Sequence, residues 1–401
     1  MAKVQTRPPD AQEPRMRRHS KRRRHRIRRA IVLILVVAMI PIGWSYVNAL
    51  TAPGNAPFTA RTVEWIKSHG GRGAVLAAER FWYSLHKPPV GGTPSGGIPV
   101  QGPHASAAPS GSTQVTLPDH ITAPTDLRPF VSSPLPREGE WQTVGRTVQG
   151  LPTVQITFLR PDNVHTSLLT GVMWMDTRLL ETTLIPGTDV PAGTPPSNAQ
   201  IPRARYSQLA AAFNSGFLLK DSNGGFYLNG RTAAPLADGQ ASLVIYSDGT
   251  VDIGRWGSDV SMTPNVTAVR QNLSMLVSHG QPVPGLANDS FLRWGATLGN
   301  QVLVWRSGIG VTVDGALVYA AGPGLSVQSL ADILARAGAV RAMELDINTE
   351  WTSAMYYTSH NPSKVTPHKI LTGMYQGPTR YLIPDQRDFF AMFIRKGLSP
   401  D

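Results

Sequence analysis

The first pattern along the chain is a basic stretch followed by an apolar one. Residues 15–29 are almost continuously cationic, and the eighteen residues 30–47 carry no charge. In a helix, such a segment comes close to the thickness of a bilayer's hydrocarbon core. Because Lys and Arg resist translocation, we expect residues 1–29 to form a cytoplasmic basic tail and residues 30–48 to form an uncleaved signal anchor. The chain beyond it would lie outside the cytoplasm.

Two other interpretations of this pattern stay open. A cleaved signal peptide would end at the small-residue site Val47, Asn48 and Ala49. A basic run can also be a nucleic-acid-binding tail. The signal peptide, like the anchor, would export the rest of the protein.

Two short helical patterns come next, separated by Gly70 and Gly71. We interpret residues 49–86 as a juxtamembrane helical stalk; a helix lying on the membrane surface would hold more Lys and Arg than this segment does. Residues 87–119 are dominated by Pro, Gly, Ser, Ala and Thr, a composition that predicts a flexible linker.

Residues 120–397 are long enough to form one globular domain with its own core. Short apolar or β-branched runs alternate there with turn dipeptides that tolerate positive φ, which indicates antiparallel hairpins. The turns of these hairpins are predicted at Asn229-Gly230, Asp248-Gly249 and Asp314-Gly315.

One helix stands out between Ser326, a plausible N-cap, and Gly338. Apolar residues recur at helical spacing between them, at Leu330, Ile333, Leu334 and Ala337. Hairpins with a few helices packed on them predict an α+β domain built mainly from antiparallel sheet.

The charge distribution and the lack of cysteine exclude or disfavour several classes of function. Residues 1–30 hold 12 Lys and Arg and two acidic residues, which accounts for +10 of the formal net charge of +12. The remaining +2 does not favour a nucleic-acid-binding body. With no Cys in the sequence, disulfides, thiolate zinc sites, iron–sulfur clusters and cysteine nucleophiles are excluded. We expect no cofactor and no metal.

The segment 342–351 holds the best candidates for chemistry. If it is extended, alternate residues point to one face, which would then be acidic and consist of Glu344, Asp346, Asn348 and Glu350. Carboxylates two residues apart stand roughly 6.5 Å from each other, so one can stay protonated while the other is ionised. Such a pair suits acid and base catalysis on a glycosidic bond.

Two other interpretations of this segment, a solvated edge strand and a calcium-binding loop, stay open. An edge strand often has a solvated polar face of this kind. A calcium loop also uses alternating acidic residues, but an EF-hand needs Gly where Trp351 stands.

The sequence contains no G-x-S-x-G, H-E-x-x-H or Walker A motif, so triad hydrolases, zincins and P-loop enzymes are disfavoured.

Two further elements are candidates for substrate binding. Arg306 and Ser307 precede Gly308 and Gly310, and a guanidinium beside glycine amides suits a phosphate. Asn214 lies in an Asn-Ser-Gly turn after a run of alanines. Without further context, Arg306 would be a surface cation at a strand end and Asn214 a turn former.

The order of these elements resembles the phosphodiester glycosidase domain family. Domains of that family show an N-G-G-F-like turn, then R-T-A-I-G with a hairpin, then a helix, then L-D-G-G-G-S. The similar segments here are FNSGF (213–217), RSGIG (306–310), LSVQSLADILARAGA (325–339) and ELDINTEW (344–351). The resemblance implies roles for Arg306, Asp346 and Asn214; the assignments of Glu344, Asn348 and Glu350 come from the strand pattern alone.

One departure from the family pattern affects the site. After Asp346 the three glycines and the serine are replaced by Ile347, Asn348, Thr349 and Glu350. Either Asn348 and Glu350 contact the substrate instead, or the site has changed substrate or lost catalysis.

The resulting hypothesis is a membrane-tethered, exported hydrolase that cleaves a sugar C1–O–phosphate linkage in an envelope glycan or glycolipid. Arg306 and Ser307 would hold the phosphate, and Asn214 would orient a sugar hydroxyl. Asp346 would act as nucleophile or base, with Glu344 or Glu350 as its partner carboxylate. The alternatives are a catalytically inactive, surface-displayed glycan-binding module and a structural envelope protein.

Overall fold

The computed structural model describes the chain in segments that together span most of its length. The described residues are 15–52, 56–103, 117–191, 198–288, 293–295, 303–361 and 364–401. Their contacts divide the chain into two units, one comprising residues 1–52 and 58–72 and the other residues 53–57 and 73–401. The α-helices are α1 Arg15–Thr51, α2 Phe58–Ile66, α3 Arg72–Leu85, α4 Leu219–Ser222 and α5 Val327–Arg336.

The described residues form eighteen strands, all in the second unit. They are β1 Gln142–Val148, β2 Leu151–Leu159, β3 Thr170–Met175, β4 Leu180–Ile185, β5 Leu209–Asn214, β6 Phe226–Leu228, β7 Arg231–Ala234, β8 Ala241–Tyr246, β9 Val251–Arg255, β10 Val266–Gln271, β11 Met275–Ser278, β12 Gln281–Pro282, β13 Val304–Thr312, β14 Leu317–Leu325, β15 Ala339–Glu344, β16 Ala354–Asn361, β17 Lys364–Lys369 and β18 Phe389–Ile394.

Helix α1 contains the predicted membrane segment. Its part His25–Thr51 is long and apolar enough to cross a bilayer. Within the same unit, Nη1 of Arg61 donates to the carbonyl oxygens of Ala49, Leu50 and Ala52, at 3.3, 3.1 and 2.5 Å. These carbonyls belong to or follow the last turn of α1, where no further helical amide can reach them.

The predicted interruption after α2 is confirmed. The backbone leaves helical geometry at His69 and Gly70, and Gly70 has φ of 86°. Glycine adopts this left-handed conformation without steric cost, which explains why the helix breaks at this position.

The second unit is built from three antiparallel sheets. A large sheet has the order β1-β2-β3-β14-β13-β15-β11-β12. The sheet we call the β8 sheet has the order β7-β6-β10-β8-β9, and the β5 sheet has the order β17-β16-β5-β18-β4. The predicted α+β class, with mainly antiparallel sheet and few helices, is confirmed.

The large sheet is covered on both faces. Apolar residues of α5, such as Leu330, pack with Val318 of β14 in one core cluster. Tyr319, the next residue of β14, belongs to a second cluster that includes Phe213 of β5 and Leu243 of β8. Because successive strand residues point to opposite faces, α5 lies on one side and the two smaller sheets on the other.

The predicted hairpins and the predicted helix are confirmed. Asn229 and Gly230 have φ of 48° and 85°, Gly249 has 78° and Gly315 has 93°. Each turn joins two paired strands. Helix α5 begins after Ser326, whose side chain accepts from the amide of Ser329 in a capping box.

Part of the predicted linker lies against the second unit. The amide of Gly91 donates to the carbonyl of Val164 over 2.7 Å, and the amide of Gln101 donates to Oε1 of Gln142 over 2.7 Å. Residues 104–116 lie outside the described residues. The boundaries of tail, stalk, linker and domain stay predictions.

Candidate active site around Asp346

Polar residues from four distant segments meet where strands of two sheets end. Asn214 ends β5, and Arg387 comes two residues before β18, whose Phe389 pairs with Asn214. Asp346 follows β15 by two residues. Ser307 lies in β13, and its amide donates to the carbonyl oxygen of Asp346 over 3.1 Å. Strand pairing therefore brings these residues together although they are far apart in sequence.

The carboxylate of Asp346 is buried, and both of its oxygens accept hydrogen bonds. Its Oδ2 accepts from Nη2 of Arg387 over 3.0 Å, and its Oδ1 accepts from the amide of Asn348 over 2.9 Å. Burial raises the pKa of Asp346 above its usual range, and the Arg387 guanidinium opposes that shift. The position and charge state of this carboxyl group thus depend on fixed neighbours rather than on water.

The side chain of Asn214 bonds to several residues of a buried hydrogen-bond network. Its Nδ2 donates to Oγ of Ser307 over 3.0 Å. Its Oδ1 accepts from the hydroxyl of Tyr319 over 2.8 Å and from the amide of Ser353 over 3.0 Å. The Ser307 hydroxyl in turn donates to the carbonyl oxygen of Asp346 over 2.8 Å. Burial raises the pKa of Tyr319 well above its usual value, so its hydroxyl stays a donor.

Arg306 and Glu344 form a different ion pair. Nη1 of Arg306 donates to Oε1 of Glu344 over 2.6 Å, and both side chains are 0% exposed. Nε of Arg306 donates to the carbonyl oxygen of Leu325 over 3.0 Å. The two carboxylates predicted to share one face, Glu344 and Asp346, are therefore engaged by different arginines.

The backbone turns soon after Asp346, which corrects the interpretation of residues 342–351 as extended. Strand β15 ends at Glu344. The carbonyl oxygen of Asn348 accepts from the amides of Trp351 and Thr352, each over 2.9 Å, and its Oδ1 accepts from the amide of Glu350 over 2.9 Å. Asn favours such turns because its side chain bonds to nearby backbone. Asn348 and Glu350 are both half-buried.

A second buried arginine supports the segment that carries Arg387. Nε of Arg380 donates to Oδ2 of Asp385 over 2.6 Å, and its Nη1 donates to the carbonyl oxygen of Trp351 over 2.6 Å. The other oxygen of Asp385, Oδ1, accepts from the amide of Arg387 over 2.9 Å. Arg380 and Asp385 thereby tie the turn after Asp346 to the approach of β18.

Comparison with protein families identifies the region that contains this network. Residues 207–364 match the family model described as phosphodiester glycosidase. Residues 207–364 are therefore similar to a phosphodiester glycosidase domain. Asn214, Arg306 and Asp346 lie within the matched residues, whereas Arg387 lies beyond them. No curated protein matches the chain significantly.

Solved structures give distant matches to the chain. The catalytic domain of zebrafish N-acetylglucosamine-1-phosphodiester alpha-N-acetylglucosaminidase, auto-inhibited by its pro-peptide, is 12% identical, with a TM-score of 0.38 over 64% of this chain and 88% of that one. A hypothetical protein from Synechocystis is 15% identical, with a TM-score of 0.32 over 64% of this chain and 62% of that one. A putative exported protein from Burkholderia pseudomallei is 12% identical, with a TM-score of 0.27 over 57% and 74%.

Gly308 and Gly310, which follow Ser307, allow neighbouring side chains to pack closely against strand β13. Strand β13 pairs with β14 on one side and β15 on the other, so the amides of Gly308 and Gly310 lie within the sheet. A Cβ on Gly308 would come within 2.8 Å of Cδ1 of Leu334, and one on Gly310 within 2.5 Å of Cβ of Ala339. The prediction that these amides cradle a phosphate therefore finds no support in the sheet.

The sequence prediction missed Arg387, the cation nearest to Asp346. The only available signal was the polar run Asp385, Gln386, Arg387 and Asp388 directly before the apolar strand β18. All four residues are buried. Charged residues in a buried position need partners, so such a run indicates an internal ion-pair network.

Metal binding has no support in the described residues. Among them, no group of three or more His, Asp or Glu side chains could hold an ion. Two buried acidic residues of this region, Glu344 and Asp385, are each bound to an arginine.

Proposed function

We propose that the phosphodiester glycosidase domain hydrolyses the C1–O–phosphate linkage of a glycosyl phosphodiester in an envelope glycan or glycolipid. The observation that carries this proposal is the buried carboxylate of Asp346, fixed by Arg387 and by the amide of Asn348, inside the residues that match the family. A positioned carboxylate is the group that glycoside hydrolysis requires at the anomeric centre.

The phosphate monoester released when the C1–O bond breaks is an acidic leaving group, so its departure needs little protonation. Asp346 would act either as nucleophile or as base for water at the oxocarbenium-like centre. Of the two candidate partner carboxylates, Glu350 is half-buried on the turn after Asp346, whereas Glu344 is fully buried against Arg306. Glu350 is therefore the better placed to meet a substrate.

Asn214 and Ser307 would act through the backbone of Asp346. Asn214 donates to the hydroxyl of Ser307, and this hydroxyl donates to the carbonyl oxygen of Asp346. These bonds would fix the backbone of Asp346 and hence the position of its side chain. The roles predicted earlier for Arg306 at the phosphate and for Asn214 at a sugar hydroxyl stay predictions. Contact of Arg306 with a phosphate would require its guanidinium to leave Glu344 and Leu325.

Membrane tethering is part of the proposal. An N-terminal helix long enough to span the bilayer would hold the domain at the outer surface, where glycolipids and envelope glycans lie. The basic residues before that helix favour a cytoplasmic N-terminus.

A second candidate function, glycan binding without turnover, is favoured by the turn at Asn348. In this structure both carboxylate oxygens of Asp346 are engaged within the protein, one of them by the amide of Asn348. Asn348 stands where the family pattern has glycine. A carboxylate that stays in these bonds would shape a binding site but would not attack a sugar.

The two candidates are separated by turnover of glycosyl-1-phosphodiesters by wild type, Asp346→Asn and the control Asp259→Asn. Asp259 is a carboxylate paired with the exposed Arg255. For a hydrolase, we expect Asp346→Asn to lose about 10²- to 10⁴-fold in reducing-sugar release, as for removal of a catalytic acid or base. The control should keep wild-type activity. Absence of turnover by wild type, with sugar-dependent thermal stabilisation, would instead favour the binding module.

A further inference from the structure

A cavity of about 430 Å³ lies apart from Asp346, between the β5 sheet and the β8 sheet. One wall comes from β4 and β18, and the other from β6, β8 and β10. Ligand sites in proteins commonly have about 300 to 1,000 Å³. None of the residues that bond to Asp346 lines this cavity. It is therefore a separate candidate site.

A fixed donor and acceptor stand side by side in its wall. Nη2 of Arg205 donates to Oε1 of Glu181 over 2.6 Å, and the guanidinium lies over the ring of Phe393 at 3.9 Å. Nε of Arg205 donates to Oε1 of Gln208. Within the described part of the chain, Nη1 of Arg205 and Oε2 of Glu181 have no hydrogen bond, so both atoms are available to a ligand in the cavity.

Where the structure describes the chain, most of the other polar side chains of the cavity also lack a hydrogen-bond partner, whereas Thr182 and Thr267 bond to Met392 and Ile245. Five of them make no side-chain hydrogen bond within the described residues: Thr183, Gln200, Asn229, Tyr246 and Ser247. Hydroxyls and amides can each donate and accept. The cavity is also lined by the apolar side chains of Leu228, Ile245 and Ala268.

These features select one class of ligand. Glu181 repels phosphates and carboxylates, and Arg205 repels amines, so the pair leaves the cavity without net charge. A vicinal diol matches an adjacent donor and acceptor, because each hydroxyl both donates and accepts. The C–H faces of a sugar ring would meet the apolar residues. We propose that this cavity binds a neutral saccharide, with the Arg205–Glu181 pair on a vicinal diol.

Binding here does not depend on turnover at Asp346, because none of the residues that bond to Asp346 lines the cavity. The test is calorimetric titration of the full chain, kept soluble with a detergent that carries no sugar. The probes are mannotriose, galactotriose and maltotriose, with inorganic phosphate as the charged comparator. We expect at least one trisaccharide to bind with a stoichiometry of one and phosphate not to bind at the cavity.

Four variants locate the binding. Arg205→Met keeps the stem on Phe393 and removes the donors, and Asn229→Gly keeps the left-handed turn at φ of 48° while removing the amide. We expect affinity to fall about tenfold or more for Arg205→Met and less for Asn229→Gly, the effect of one or two lost hydrogen bonds. Arg255→Met, at an exposed ion pair outside the cavity, and Asp346→Asn should bind as wild type.

Four results would overturn the proposal. The first is no binding of any trisaccharide by wild type. The second is binding that both Arg205→Met and Asn229→Gly leave unchanged. The third is phosphate binding that Arg205→Met abolishes, which would make the cavity an anion site. Loss of trisaccharide binding in Asp346→Asn would place the saccharide at the candidate active site instead.

Discussion

Nη2 of Arg387 lies 3.0 Å from Oδ2 of Asp346, and the two side chains are only 6% and 4% exposed. With so little water nearby, a neighbouring cation strongly influences whether a carboxyl group is ionised. Arg387 therefore favours the ionised form of Asp346 and opposes the effect of burial on its pKa. It also donates to the carbonyl oxygen of Gly216 over 3.0 Å, which fixes the direction of its guanidinium.

The first prediction concerns the pH dependence of that chemistry. Because burial raises the pKa of Asp346, activity that needs its ionised form should rise with pH through a value above the usual carboxyl value of about 3.9. Arg387→Met removes the charge that opposes this shift, so the acid limb of kcat/KM should move to higher pH. Arg387→Lys should move it less. The measurement is a pH–rate profile, and an acid limb at the same pH in all three proteins would contradict the assignment.

A second prediction separates structural and substrate roles of Arg306. Arg306→Met leaves the buried carboxylate of Glu344 without its guanidinium, so the free energy of unfolding should fall by about 3 to 5 kcal/mol. The double variant Arg306→Met/Glu344→Leu should recover part of that loss. Arg341→Met, at the partly exposed pair with Asp252, is the matched control and should cost less than about 1 kcal/mol. Denaturant unfolding followed by tryptophan fluorescence measures all three.

If Arg306 instead contacts the substrate phosphate, the outcome differs. Arg306→Met would then unfold at nearly the wild-type denaturant concentration and show a raised KM. That combination would rule out a mainly structural role for the Arg306–Glu344 pair.

A third prediction concerns the close approach at Gly216. A Cβ there would come within 2.6 Å of Cγ of Asn272, whose Nδ2 donates to the carbonyl oxygen of Glu344 over 2.8 Å. Gly216→Ala should therefore lower the free energy of unfolding by about 1 to 3 kcal/mol and reduce activity. Gly377→Ala, which meets nothing within 4 Å, should change neither. Equal stability of the two variants would show that Asn272 can move away without cost.

A fourth prediction tests the tether. An uncleaved anchor keeps the intact protein in the membrane pellet after an alkaline carbonate wash, with residues 1–49 present in its measured mass. Cleavage after Ala49 would release a soluble protein that begins near Leu50. Protease added outside intact cells should remove the domain but leave the basic tail.

Local chemistry was enough to predict many elements of this fold. The hairpin at Asp314-Gly315 requires only a turn residue at positive φ between two β-branched runs. Ser326 caps α5 through bonds within three residues. The break at Gly70 is likewise a property of one residue. In each case the free energy that selects the structure comes from neighbours in the sequence.

The sequence indicated candidate residues for the site, but not their hydrogen-bond partners. Arg306, Asp346 and Asn214 were expected at one site through a family resemblance. The structure joins Asn214 to Asp346 through Ser307, whereas Arg306 pairs with Glu344. An alternating pattern suggested that Glu344 and Glu350 would share a face with Asp346. The turn begun by Asn348 ends that alternation, because side-chain bonds to backbone compete locally with a strand.

By itself, the sequence determined the apolar N-terminal segment, the hairpins and helix α5, because these follow from hydrophobic spacing and local backbone preference. Only the tertiary structure decided that Arg306 pairs with Glu344 and Arg387 with Asp346. Strand pairing brings these residues together across 38 and 41 positions. The choice of partner rests on desolvation and sheet packing, and neither is encoded in the spacing of residues along the chain.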